Sequence, residues 1–105
     1  MMDNVAVAGF DWDAGNVEKC ARHGVSAAEI EALFAAEPMV TPDMAHSHGE
    51  TRYLAIGRPP SGRAVLVAFT LRRREGATFV RPISARYMHK KEIDAYEKAF
   101  SRSGR

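Results

Sequence analysis

The chain has a single cysteine, Cys20, among its 105 residues. An internal disulfide is excluded, and so is a cysteine-based metal site. A lone thiol fits a reducing compartment, so the expected location is the cytoplasm. No apolar run is long enough to span a membrane. No basic segment leads into a long apolar run near residue 1, so no signal peptide is expected. Glycine-rich phosphate loops, H-E-x-x-H and G-x-S-x-G are all missing. Their absence removes the usual nucleotide-binding, zinc-protease and serine-hydrolase patterns. There is no linker, repeat or low-complexity segment. Net charge is small, +2 at pH 7 with a pI near 8.9, a weak pointer to any anionic partner by itself.

What is present suits one folded domain over residues 1–105, with a core from about 5 to 100 and a frayed tail, SRSGR. Hydrophobic residues make up 46% and charged residues 27%, enough for one modest core on a soluble chain. Residues 5–12 (VAVAGFDW) read as a short strand. Asp13 caps a helix running to His23, and Gly24 is its left-handed terminator. Val17, Cys20 and Ala21 form a thin apolar stripe on that helix. A second helix starts at Ser26, where Ser26 and Glu29 make an S-x-x-E capping box and Val25 staples onto Ile30. Ile30, Leu33 and Phe34 share its buried face.

Residues 39–50 read as a loop with room for a short extended piece. Strands follow at 51–57, 63–71 and 78–86, joined by turns at RPPSG and RREGA. The middle one is apolar on both faces, so it belongs at the centre of the sheet. A last helix covers about 89–101 with a stripe of Ile93, Tyr96 and Phe100. The order β-α-α-β-β-β-α gives an α+β domain, an antiparallel sheet packed by helices.

Chemistry is then sought among the polar residues. His46 and His48 form an H-x-H pair near Asp43 and Glu50, but no third ligand stands at a recognisable metal spacing, so no metal or other cofactor is expected. Arginines outnumber lysines and gather between Arg52 and Lys91. They read equally as a solvated sheet edge or as a phosphate-binding surface. Metal-free RNA cleavage matches the residue types. It needs a base for the 2′-hydroxyl, cations for the phosphate and a proton for the leaving oxygen. Glu50 or a histidine could be the base. Glu50 and Arg52 would share one face of a strand and could form an ion pair that weakens the base. His23, beside Arg22 at a helix end, reads first as a C-terminal cap and second as a catalytic group. Of Arg72, Arg73 and Arg74, at most two can line one groove. Tyr96 reads as a core residue with its hydroxyl at the edge.

Three segments carry a family likeness. They are FDWDAGNVEKCARHGVSAAEIEALF (10–34), the Asp43, His46 and GETRYLAIG stretch (43–57), and ISARYMHKKEIDAYE (83–97). Together, in this order, they resemble BrnT-type toxins over nearly the whole chain. The resemblance implies a RelE-like fold and a ribonuclease toxin of a type II toxin–antitoxin pair that inhibits translation. It implies a BrnA-like ribbon-helix-helix antitoxin, with operator DNA bound only through the complex. Carried over by motif position, His23, Glu50, Arg52 and Arg86 are the catalytic candidates. Arg72, Arg81, His46, His89, Lys90 and Lys91 are candidates for holding RNA. The rival reading is a non-catalytic antitoxin-binding or nucleic-acid-binding module of the same fold.

Two departures from the family pattern bear on the site. Pro82 stands where an aliphatic residue is usual, which predicts an edge strand or a bulge. Arg81 and Arg86 have opposite parity, and a bulge at Pro82 would bring both to one side. His89 replaces a hydroxyl N-cap, so the last helix must start frayed or find another cap. With Lys90 and Lys91, that helix start reads as an anion site with nothing anionic built in, or as lysines pointing to water.

Overall fold

The computed structural model describes residues 7–60 and 62–102, with side chains as far as residue 99. The expected strand start at 5–6, the Phe100 member of the last stripe and the tail beyond Arg102 lie outside the described residues. The elements are β1 (Val7–Phe10), α1 (Ala14–Ala21), α2 (Ala27–Ala35), β2 (Met39–Pro42), a 3-10 turn (Met44–His46), β3 (Tyr53–Gly57), β4 (Val65–Arg74), β5 (Ala77–Tyr87) and α3 (Lys90–Arg102). The strands form one sheet in the order β1-β5-β4-β3-β2.

The mixed helix-and-sheet class is as expected, and β4 is central. Two features go further. The short extended piece allowed for within 39–50 is an edge strand over residues 39–42, paired with β3. Val40 stands opposite the buried Ala55, so one apolar contact is enough to pin it, and an edge position tolerates Pro42. The sheet is also not wholly antiparallel, because β1 runs parallel to β5. The two helices between β1 and β2 carry the chain across the sheet, as a parallel connection requires.

Both helix starts are capped. The Asp13 carboxylate accepts from the Asn16 N–H at 2.9 Å, and the Asn16 side-chain oxygen accepts from the Asp13 N–H at 2.8 Å. The expected box at the second helix is only half made. Ser26 Oγ accepts from the Glu29 N–H, but the Glu29 carboxylate accepts from the Tyr87 hydroxyl at 2.7 Å instead. The α1 stripe is also corrected: Val17 and Ala21 are exposed, and Asn16 and Cys20 face inward.

Core-facing residues alternate along β4, namely Val65, Val67 and Phe69, and meet Val25, Ile30 and Leu33 from the helical layer. Phe34 packs edge-on against Phe69 with ring centres 5.1 Å apart, and Tyr53 stacks on the same ring at 5.4 Å. Helix α2 comes so close that a Cβ on Gly57 would sit 3.0 Å from Leu33. The opposite face of the sheet carries Leu54, Leu66, Ala68 and Thr70 by register. Arg86 lies on that second face and ties to Glu92, so α3 starts on the side away from α1 and α2.

The register of β5 breaks once. Phe69 is opposite Pro82, and Ala68 is opposite Ser84, so Ile83 is an extra residue. The expected bulge is present. It resets the alternation: Arg81 stands opposite Thr70 and Arg86 opposite Leu66, both on the second face.

Asn16 holds this irregularity. Its side-chain amide donates to the Pro82 carbonyl and to the Asp11 carbonyl, both at 2.9 Å. The residue is only 7% exposed, yet every polar atom of its side chain is paired. Asn16→Ala should lower unfolding free energy by about 2–4 kcal/mol, since it removes a cap and strands buried carbonyls. Asn16→Asp keeps the cap but points oxygen at oxygen, and should be no better. Urea unfolding of both variants checks this. An aspartate variant as stable as wild type would show that the donated bonds carry no weight.

Candidate functional site

The hydrogen-bond ladder places one row of polar residues across the second face. Thr70 of β4 is opposite Arg81 of β5. The antiparallel register of β3 with β4 (Tyr53 opposite Phe69), continued one residue, sets Arg52 opposite Thr70. The register of β2 with β3 (Pro42 opposite Tyr53), continued the same way, sets Asp43 opposite Arg52. That last pair is confirmed by a 2.7 Å bond from the Asp43 N–H to the Arg52 carbonyl. Its reciprocal bond is relayed: the Arg52 N–H donates to Ser47 Oγ at 2.9 Å, and that hydroxyl donates to the Asp43 carbonyl at 2.8 Å. Neighbouring strands lie about 4.8 Å apart, so Asp43, Arg52, Thr70 and Arg81 span roughly 14 Å.

Arg72 occupies the next row and donates to Thr70 Oγ1 at 3.3 Å. It also pairs with Glu50. The expected Glu50–Arg52 ion pair is therefore not made: neither residue is in a strand, and Arg72 takes the carboxylate. Arg73 points to the helical side by register, so Arg72 and Arg74 are the two of the run that share the second face. Arg81 donates to Asp13 at 2.8 Å and lies 3.6 Å from Asp11, which also holds Arg74 at 2.9 Å. The Asn16 N–H, then Arg81, holds the Asp13 carboxyl below its ordinary pKa, and Asp13 raises that of Arg81 in return. Arg52 is the exception. Among the described residues its half-buried side chain has no carboxylate partner.

His46 belongs to this end of the face. Its Nδ1 lies 2.9 Å from the Asp43 carboxylate, and the ring is 63% exposed. His48 is exposed nearby. Among the described residues no group of three or more His, Cys, Asp or Glu side chains could hold a metal ion.

The other candidates lie elsewhere. Arg86 is four β4 positions from Arg81, roughly 13 Å along the strands. Its guanidinium forks onto Glu92 at 2.8 and 2.7 Å. Glu92 also accepts from the His89 N–H at 2.9 Å, which caps α3 in place of the missing hydroxyl. This helix start thus has an anion built in, contrary to the expectation. Lys90 leans towards Asp94 at 3.4 Å, while His89 and Lys91 are exposed. His23 is exposed at the end of α1, on the helical side, where the neighbouring Gly24 carbonyl accepts from Tyr87. It does not join Glu50, which stands beyond the opposite end of the sheet. Tyr96 is half-buried, and burial raises its phenol pKa. A groove of about 450 Å³ between α2 and the Pro59–Pro60 turn is separate from the arginine row.

Sequence reasoning missed Asp11 and Asp13 as arginine partners, Thr70 as the centre of the row and Ser47 as its relay. The aspartates had a visible cue in the F-D-W-D stretch. Their partners, nearly seventy positions away, had none.

Residues 12–92 match the family described as "Ribonuclease toxin, BrnT, of type II toxin-antitoxin system". The chain belongs to the BrnT family. No curated protein matches it. The family match ends at Glu92, so it takes in both the arginine row and the Arg86–Glu92 fork.

Arg86 holds the Glu92 carboxyl well below the usual range, down to about 2. The depressed pKa stabilises the fold above the ordinary value of 4.5, and that contribution is lost as pH falls from there towards 2. The side chains are 37% and 35% exposed, so water limits the pair to about 1 kcal/mol. Wild type should therefore exceed Glu92→Gln by that margin at neutral pH and converge with it near pH 2. Melting temperatures of both proteins across pH 2–7 measure the gap; a pH-independent gap would dissociate the fork from stability.

Proposed function

We propose that this BrnT protein is a metal-independent endoribonuclease toxin that cleaves RNA and inhibits translation in the cytoplasm. The row of Arg52, Thr70 and Arg81, with Arg72 beside it, carries the reading. It brings Arg52, Thr70 and Arg81 into one row of the second face, with the Arg72 guanidinium bonded to the Thr70 hydroxyl. Arginine forks match phosphate oxygens, and the positive charge that develops beside a phosphorane needs no metal if they supply it. Glu50, paired with Arg72, is a carboxylate at the edge of that charge. Arg86, His89, Lys90 and Lys91 continue the surface towards α3 and suit flanking phosphates. His23, on the helical side, is assigned the cap of α1 rather than a place on RNA.

The self-made ion pairs do not argue against an RNA surface. Exposed pairs of this kind are each worth about 0–1 kcal/mol, so a polyanion can displace the carboxylates. The neutralising partner would be a BrnA-like ribbon-helix-helix antitoxin, through which the complex would bind operator DNA. The element order, with the added edge strand β2, suits a RelE-like single domain.

The test is expression without a partner, paired with RNA cleavage and binding by the purified chain. Wild type should arrest growth and cut RNA. Arg52→Ala should weaken RNA binding about tenfold, equal to about 1.4 kcal/mol. The slope of log affinity against log salt should fall by about 0.7, one phosphate's share on a single strand. Arg81→Ala should act similarly, and Arg73→Ala should not. A wild-type protein that binds RNA but never cuts it would move the chain to the non-catalytic reading. One that does neither would end the nucleic-acid reading altogether.

A further inference from the structure

The arginine row supplies positive charge but no proton acceptor of the right kind. Glu50 is held by Arg72, Asp13 by Arg81 and Glu92 by Arg86. Each carboxylate is thus engaged with the cation that would have to face the phosphate. One group at this end of the sheet is differently placed. His46 is bound through Nδ1 to Asp43, and among the described residues its Nε2 has no hydrogen-bond partner. Asp43 is itself the first member of the row, one strand spacing, about 4.8 Å, from Arg52.

The turn that carries the pair is fixed at several points. The Asp43 N–H bonds to the Arg52 carbonyl at 2.7 Å, and the His46 N–H bonds to the Asp43 carbonyl at 3.2 Å. Ser47 Oγ bridges the Arg52 N–H and the Asp43 carbonyl at 2.9 and 2.8 Å. The Asp43 side chain is 15% exposed, while the His46 ring is 63% exposed. A sheltered carboxylate thus holds an accessible imidazole, and both hang on the backbone of Arg52, which has no carboxylate partner among the described residues. A carboxylate on Nδ1 selects the tautomer with its proton there, which leaves the Nε2 lone pair free to accept one.

We propose that His46 is the general base of the RNA cleavage reaction and that Asp43 is its positioning residue. This rests on the ribonuclease reading above. Nε2 takes the proton from a ribose 2′-hydroxyl. The 2′-oxygen then forms a bond to the adjacent phosphorus, and the bond from phosphorus to the 5′-oxygen breaks. The 5′-oxygen leaves with a proton from water, and the imidazolium returns its proton to solvent. No oxidant, metal or further reactant is needed. The products are a 2′,3′-cyclic phosphate and a 5′-hydroxyl. Arg52 and Arg81 hold the phosphate while its charge grows.

The experiment uses the purified full chain and a short RNA spanning a mapped cleavage site, in single turnover. His46→Ala should cut about 10²–10⁴-fold more slowly, the usual worth of a positioned base, with RNA affinity and melting temperature unchanged. Added imidazole should restore part of the rate. Asp43→Asn should cut more slowly with a changed pH profile that imidazole does not repair. Replacing the 5′-bridging oxygen with sulfur separates base from acid, because sulfur leaves without a proton. The His46→Ala defect should persist on that substrate. If sulfur abolishes the defect, His46 serves the leaving group and the base assignment is overturned. If His46→Ala cuts as fast as wild type, the inference fails while the ribonuclease reading stands. A wild-type chain that cuts no RNA overturns both.

Discussion

One buried amide, the side chain of Asn16, sets the geometry on which the rest of the molecule depends. It closes the cap of α1, takes the carbonyl at the end of β1 and binds the carbonyl of the bulged Pro82. Proline removes a ladder donor, and the extra residue after it shifts the alternation of β5. Had the strand stayed regular, Arg81 and Arg86 would have faced opposite sides. One of them would then have been turned towards the helical layer. The shift costs ladder bonds, and Asn16 returns enough of them from the helical side to keep it. A packing detail on one face of the sheet therefore decides the charge on the other.

That charge is handled in an unusual way. The second face gathers arginines, but most are neutralised by acids: Asp11 and Asp13 before α1 and Glu50 before β3, all from distant parts of the chain, and Glu92 six residues on from Arg86. The result is a surface rich in guanidinium forks with little net charge, in line with the chain's small overall value. Long-range attraction of anions is weak on such a surface, whereas short-range exchange is easy. A ligand must arrive close enough to replace carboxylates one at a time, which favours partners presenting several phosphates at regular spacing over single small anions.

Local signals were legible in the sequence. Asp13, Ser26 and Gly24 marked helix ends through their own backbone chemistry, and the apolar run before Arg72 announced the central strand. Even the bulge could be read, because proline has so few places in a sheet. Long-range choices were not. The Glu29 carboxylate had two equally good uses, its own helix start or the Tyr87 hydroxyl, and only the packed sheet selects the second. Glu50 likewise chose Arg72 over its neighbour in sequence, since sequence spacing says nothing about which strand lies across the gap. Met39–Pro42 could be read only as a short extended piece within a loop, because four residues are too few to show a period. The arginine row was hidden for the same reason: its members meet only once four strands are in register.

The pairing of β1 with β5 also has a meaning in time. Val7 stands against Thr78, so the first strand has no neighbour until most of the chain exists. The Asn16 bond to Pro82 and the Asp13 bond to Arg81 wait on the same event. A chain that has not yet reached β5 cannot hold its arginine row. Closure of the arginine row therefore comes late in the making of the chain. The Arg81 end of the row is fixed only when the first strand meets the last.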